Sequence, residues 1–256
     1  PSELKALFRA DFEKGMAKFY EYADGDIMRF QRELAAYLAQ FTPGKTNTYI
    51  RLIRTIGLRR VIYASLNYDL LFELAAESLN LNFHYDIEPA ATAVRLLKLH
   101  GSSNFWPDIP VGMIHNCTFR MGGRADVQAQ IRPLGQQETL YRCGAEDSLA
   151  PAIAMYAEGK AVKISPDYVE HQQKLWKISV GAASRIYVVG VRVHNADVHV
   201  WAELAKARAP VTYFGRESDR ELYEEWKKVN GKKHTYFIEA TFEDCIDFIG
   251  SQLGLI

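Results

Sequence analysis

The chain has 256 residues, 48% of them apolar, with 31 lysines and arginines balanced by 31 aspartates and glutamates. That length and apolar content suffice for a full hydrophobic core, and one domain over 1–256 is expected. The zero net charge gives no broad footprint for nucleic acid or an anionic surface, no apolar run approaches the roughly 20 residues of a bilayer span, and no signal segment opens the chain, so a cytoplasmic protein is expected.

Cys117, Cys143 and Cys245 are odd in number, widely spaced and without a C-x-x-C pair, which argues against a disulfide scaffold and a zinc ribbon. His115, Cys117 and Cys143 offer three metal-ligand types, but buried or incidental cysteines are the simpler account and no metal is expected.

In chain order, residues 1–58 read as a helical region. Apolar side chains at helical spacing (Leu4, Leu7, Phe8, Phe12, then Met28, Phe30, Leu34, Leu38) predict two helices up to about Phe41, separated by Asp24-Gly25-Asp26. A third helix, capped by Thr46 or Asn47, runs to Gly57. A strand over 60–64, a helix over 70–79 and strands over 83–85 and 94–99 follow.

Residues 103–149 break this rhythm with glycines, Pro107, Pro110, Pro133 and short β-like pieces such as 113–119, and read as an irregular inserted lobe. Alternation resumes with a strand over 152–156, a helix opened by Ser165-Pro166 and a strand over 185–191. A helix over 197–207, a strand over 211–214 and a helix opened by Ser218-x-x-Glu221 come next, then a strand over 234–238 and a helix opened by Thr241-x-x-Asp244. Strands alternating with helices predict a Rossmann-like α/β fold, its mainly parallel sheet covered by helices on both faces.

Three polar clusters sit where apolar strand runs stop: Ser65-Leu66-Asn67-Tyr68-Asp69, Lys98-Leu99-His100-Gly101-Ser102, and Val188-Val189-Gly190-Val191 leading to Asn195 and Asp197. The carboxyl ends of strands line the ligand crevice of an open α/β sheet, so these clusters are candidates for one site. Asn67 and Asp69 precede a helix, where one capping side chain suffices and the second is surplus. His100 has the chemistry of a general base, and Gly101 and Gly190 signal close approach of a ligand or another backbone. Asn195 and Asp197 read as caps of the next helix, and Phe105, Trp106 and Trp201 as core aromatics.

At these same residues the chain resembles the sirtuin-like NAD hydrolase domains of bacterial antiviral defence, over about residues 61–248. Residues 65–71 are similar to the family's Thr-Thr-Asn-Tyr-Asp segment, residues 97–102 to its Lys-Leu-His-Gly segment, and residues 189–199 to its Gly-Tyr-Ser strand and following helix start. The resemblance implies cleavage of NAD, as substrate, to nicotinamide and ADP-ribose without a metal. Asn67 and His100 would be catalytic, the first positioning ribose or water and the second acting as base. Ser65, Asp69, Gly101, Gly190 and Asp197 would bind the dinucleotide, with Asp69 at the nicotinamide end. The family's Gly-Ala-Gly-x-Ser phosphate loop has no counterpart before Ser65, so it either precedes Pro1 or has been lost, and Arg192 replaces a small hydroxyl residue. The family also implies control by self-association or a regulatory protein partner. The alternative function is a degenerate sensor or scaffold that binds NAD or ADP-ribose without cleaving it.

Overall fold

The computed structural model describes residues 2–10, 12–24, 26–88, 92–118, 126–154 and 164–255. In chain order its elements are α1 (Ser2–Ala10), α2 (Phe12–Tyr22), α3 (Met28–Ala39), α4 (Thr48–Ile56), β1 (Tyr63–Ser65), α5 (Leu71–Ser78), β2 (Asn82–His84) and β3 (Ala93–Lys98). Then come β4 (Phe105–Pro107), β5 (Ile131–Pro133), α6 (Gln136–Ala145), α7 (Pro166–Ala182) and β6 (Ile186–Val189). A short 3-10 turn (Asn195–Asp197), α8 (Val198–Lys206), β7 (Val211–Gly215), α9 (Glu217–Val229), β8 (Thr235–Glu239) and α10 (Phe242–Gln252) complete the chain. The fold is mixed α/β, with parallel sheets flanked by helices. Among the described residues no helix is long and apolar enough to cross a membrane. The chain forms two compact units: residues 1–42, 65–71 and 98–172 make the first, and residues 43–64, 72–97 and 173–256 the second.

The first unit opens with three helices where the periodicity predicts two. Phe8 and Phe19 are eleven positions apart, about 16 Å along a continuous helix, yet their ring centroids lie 6.5 Å apart because α1 folds back on α2. Phe30 of α3 closes the cluster, 5.0 Å from Phe19. Gly15 permits this approach: a Cβ there would lie 2.7 Å from Phe8 Cδ1.

α6, which packs on α3, lies inside the segment expected to be irregular. Its buried side is Thr139, Arg142 and Cys143, so it carries no apolar stripe for a periodicity argument to find. β4 and β5 form an antiparallel pair in the same segment, Trp106 opposite Arg132. The expected strand over 152–156 is reduced to a bridge of Gly101 with Ile153; positions 155 and 156 lie outside the described residues.

In the second unit β6, β7 and β8 run parallel in sequence order, with Val188 opposite Tyr213 and Tyr213 opposite Phe237. A second sheet has the order β1-β3-β2, and β2 is parallel to β3. One core joins Ile50, Ile53 and Ile56 of α4, Phe72, Ala75 and Ala76 of α5, Val94 and Leu96 of β3, Phe214 of β7, and Cys245 and Ile249 of α10. α4 starts at Asn47, whose side chain accepts from the Tyr49 amide, and α10 at the expected Thr241/Asp244 capping box. The cap of α9 is displaced from Ser218/Glu221: β7 runs on to Gly215, Arg216 takes the N-cap, and Asp219 accepts from its amide at 3.1 Å.

Arg142 and Glu146 of the first unit form a buried ion pair, Nη2 to Oε1 3.0 Å, off the angle of an aligned hydrogen bond. The guanidinium also donates to the Ile109 carbonyl and lies 5.2 Å from the Trp106 ring centre. Arg142→Met therefore takes the ion-pair partner from the buried Glu146 carboxylate and is expected to cost about 3–5 kcal/mol in urea unfolding, with a smaller loss when Glu146 is replaced by Met as well.

Candidate functional site

Two of the three expected clusters come together in the first unit. The Leu99 amide donates to the Ser65 carbonyl at 3.1 Å, carrying the pairing of β1 and β3 to the ends of both strands. Beyond that point the Ser103 amide donates to the Tyr68 carbonyl at 2.9 Å. Ser65 closes its own turn, its Oγ accepting from the Asn67 amide at 3.1 Å, and Asn67 is exposed. Asp69 performs the expected capping, Oδ1 accepting from the Leu71 amide at 2.9 Å, the first residue of α5. The Tyr68 hydroxyl donates to the Ala154 carbonyl at 2.8 Å, and its ring centre stands 6.3 Å from that of His100.

His100 is 3% exposed, and its carbonyl accepts from the Ala154 amide at 2.8 Å. Gly101 does mark a close approach, and its partner in the structure is the protein's own backbone. At φ +79° a Cβ on Gly101 would lie 2.0 Å from the Ala152 carbonyl oxygen, which accepts from the Ser102 amide at 3.2 Å. Phe105 and Trp106 are core residues: both are fully buried, and the Trp106 indole donates to the Ser103 carbonyl.

Lys98, which opens the second cluster, has no role in the sequence reading. It is fully buried, its ammonium donates to the Asp69 carbonyl at 2.6 Å, and its own amide donates to the Gln172 side chain at 3.1 Å. The signal was a lysine inside the apolar run Leu96-Leu97-Lys98-Leu99, where a solvated charge has no place.

The third cluster belongs to the second unit. Gly190 continues the ladder, its amide donating to the Phe214 carbonyl at 2.8 Å. It has φ +65° with nothing within 4 Å of a Cβ position, so backbone conformation rather than crowding selects glycine there. Arg192 reaches across the carboxyl ends of β6 and β7, Nε 3.8 Å from Asp219 Oδ1, and its carbonyl accepts from the Trp201 indole. Trp201 lies in an aromatic core with Tyr213, Tyr223 and Trp226. Burial and the Asp219 carboxylate raise the Tyr213 phenol above its ordinary range.

The capping expected of Asn195 and Asp197 is corrected. His194 Nδ1 accepts from the Ala196 amide and caps the 3-10 turn, while Asn195 is exposed. Asp197 stands at the N-cap of α8 with no capping bond; it is buried, and one of its carboxylate oxygens lies within 4.8 Å of a ring nitrogen of His199. Burial pushes the thiols of Cys143 and Cys245 up to about 12, and Cys117 is exposed.

The two glycines make contrasting variants. Gly190→Ala meets only the cost of a left-handed backbone, about 1–2 kcal/mol. Gly101→Ala adds a collision with Ala152 and is expected to lose at least about 3 kcal/mol, or to fail to fold, in the same urea titration. Comparison of the chain with protein-family models, with curated proteins and with solved structures finds no match.

Proposed function

We propose that the protein is an NAD glycohydrolase of Rossmann-like architecture. The observation that carries this reading is the lacing of the Asn67 turn to the His100 turn by the bonds Leu99 to Ser65 and Ser103 to Tyr68. It gives an amide and an imidazole on one rigid frame, at neighbouring strand ends, as a crevice enzyme of this class requires.

The reaction asks little of the protein. Water attacks C1′ of the nicotinamide ribose, the C1′–N bond breaks with its electron pair going to nicotinamide, and the water gives up its proton. Nicotinamide leaves as a neutral molecule, so the site needs to orient water and receive that proton beside an oxocarbenium-like ribose. In this reading His100 takes the proton, Asn67 orients the ribose or the water, and the half-buried Asp69 presents its second oxygen, Oδ2, to the carboxamide of nicotinamide. Ser65 and Gly101 hold the two turns. No metal takes part. Control by self-association or a regulatory protein, in a cytoplasmic defence role, belongs to the same proposal, since uncontrolled loss of NAD would kill the host cell.

The burial of His100 favours one second reading: a sensor or scaffold subunit that holds NAD or ADP-ribose without turnover. Nicotinamide release from NAD, followed by chromatography at several protein concentrations, separates the two. The hydrolase is expected to release nicotinamide, with at least about a hundredfold loss in His100→Ala and in Asn67→Ala. Undiminished release in both variants would sink the assignment, and calorimetric binding without release would select the sensor.

A further inference from the structure

We propose that Lys98 is a positioning residue for this hydrolysis, its buried ammonium holding the Asp69 main chain so that Asn67 keeps its place beside the strand that carries His100. The inference rests on the hydrolase reading and deepens it.

The argument begins with cost. Lys98 is fully buried, between Leu97 and Leu99 in a strand end where every position from 96 to 107 is also buried. Burying an ammonium ion carries a penalty of several kcal/mol, and an apolar side chain would fit the run at none. What the lysine adds is reach and charge. Its Nζ lies 2.6 Å from the Asp69 carbonyl oxygen, a short charge-assisted bond to a carbonyl that lies two residues past Asn67. The base of the side chain is anchored as well, because the Lys98 amide is fixed on the buried Gln172 side chain at 3.1 Å.

The Asn67 turn is also held by the Asn67 amide on Ser65 Oγ, the Ser103 amide on the Tyr68 carbonyl, and the Tyr68 hydroxyl on the Ala154 carbonyl. Lys98 supplies the tie at the far end of the turn, two residues before His100. A shift of about 1 Å in a catalytic group is enough to cost a hundredfold in rate, so a tie of this kind acts on turnover more than on substrate affinity.

Arg32 provides the matched control. It is also a buried cation of the first unit on a main-chain carbonyl, Nη1 to Leu149 O 2.9 Å, and neither a hydrogen bond nor an ion pair joins it to Asn67 or His100. Nicotinamide release is measured for the whole chain, for Lys98→Met, Lys98→Arg and Arg32→Met, together with Tm. Lys98→Met is expected to lower kcat by about tenfold to a hundredfold with KM for NAD within about twofold, and Lys98→Arg to restore most of it. Arg32→Met is expected to lower Tm and leave kcat within about twofold. Wild-type kcat in Lys98→Met, or losses of kcat that follow Tm equally in both variants, would overturn the proposal. If Lys98→Met does not fold, Lys98→Gln replaces it with the same expectation. Should the wild-type chain release no nicotinamide, the hydrolase reading fails by itself, and the tie is read from amide exchange at Asn67 and Ser103. Faster exchange in the Lys98 variant than in Arg32→Met sustains it, and equal exchange ends it.

Discussion

The constraint on which the first unit depends is an uninterrupted buried stretch from 98 to 107, most of it outside regular secondary structure. Buried amides and carbonyls need partners, and this segment supplies only some of them locally, as where Gly101 donates to Lys98 and Phe105 to Ser102. The rest come from far along the chain. The Leu99 and Ser103 amides use the carbonyls of Ser65 and Tyr68, the Ser102 amide and the carbonyls of His100 and Phe105 use Ala152 and Ala154, and the Asn104 carbonyl uses the Leu134 amide. Three separate stretches are thereby fixed around His100. The left-handed glycine at 101 is the geometric condition for this crossing, since any side chain there would occupy the place of the Ala152 carbonyl.

The same need explains why buried cationic and amide side chains collect in this unit. Its loops present carbonyls that no sheet ladder satisfies, and long donors carried on ordered elements reach them: Gln31 and Arg32 from α3 to Ile153 and Leu149, Arg142 from α6 to Ile109, Lys98 from β3 to Asp69. Bonds to charged donors are worth more than neutral ones, roughly 1.5–3 kcal/mol each, which offsets part of the desolvation of the cation. In the second unit cations that reach carbonyls, such as Arg185 on Gln252 and Lys232 on Ala207, are not buried. Its parallel ladders from β6 to β8 satisfy the main chain, and it packs with apolar and aromatic side chains such as Tyr213 stacked on Tyr223 at 4.9 Å.

That difference decided what was legible in the sequence. The second unit reads clearly because its strands are β-branched and aromatic runs and its helices carry caps; the expected helix and strand over 197–214 match α8 and β7 to within a residue. In the first unit α6 was hidden because the side it buries is Thr139, Arg142 and Cys143, and the extra break between α1 and α2 because hairpin packing of Phe8 on Phe19 is tertiary information. At the candidate site the strand ends were legible as polar clusters after apolar runs. Their fastening was not: nothing local in Ala152 or Tyr68 announces a carbonyl that receives an amide from a distant turn. His194 was passed over as a cap because imidazole is an uncommon capping group, although its Nδ1 serves as an acceptor when unprotonated.

The two proposed catalytic residues differ most in exposure: Asn67 is open to solvent and His100 is closed from it, although their turns share one backbone frame. For proton transfer at a glycosidic carbon this asymmetry has a chemical sense. A buried imidazole acts in a medium of low dielectric, where its field on a developing cation is strong and bulk water cannot compete with the one water to be activated. An exposed amide can meet an incoming ribose before the base is engaged. Substrate must then displace whatever covers the imidazole, and the covering groups within this unit include the Tyr68 ring, which is tied through its hydroxyl to Ala154. That side-chain tie is separate from the bonds that Ser103 and Lys98 make to the main chain of the turn.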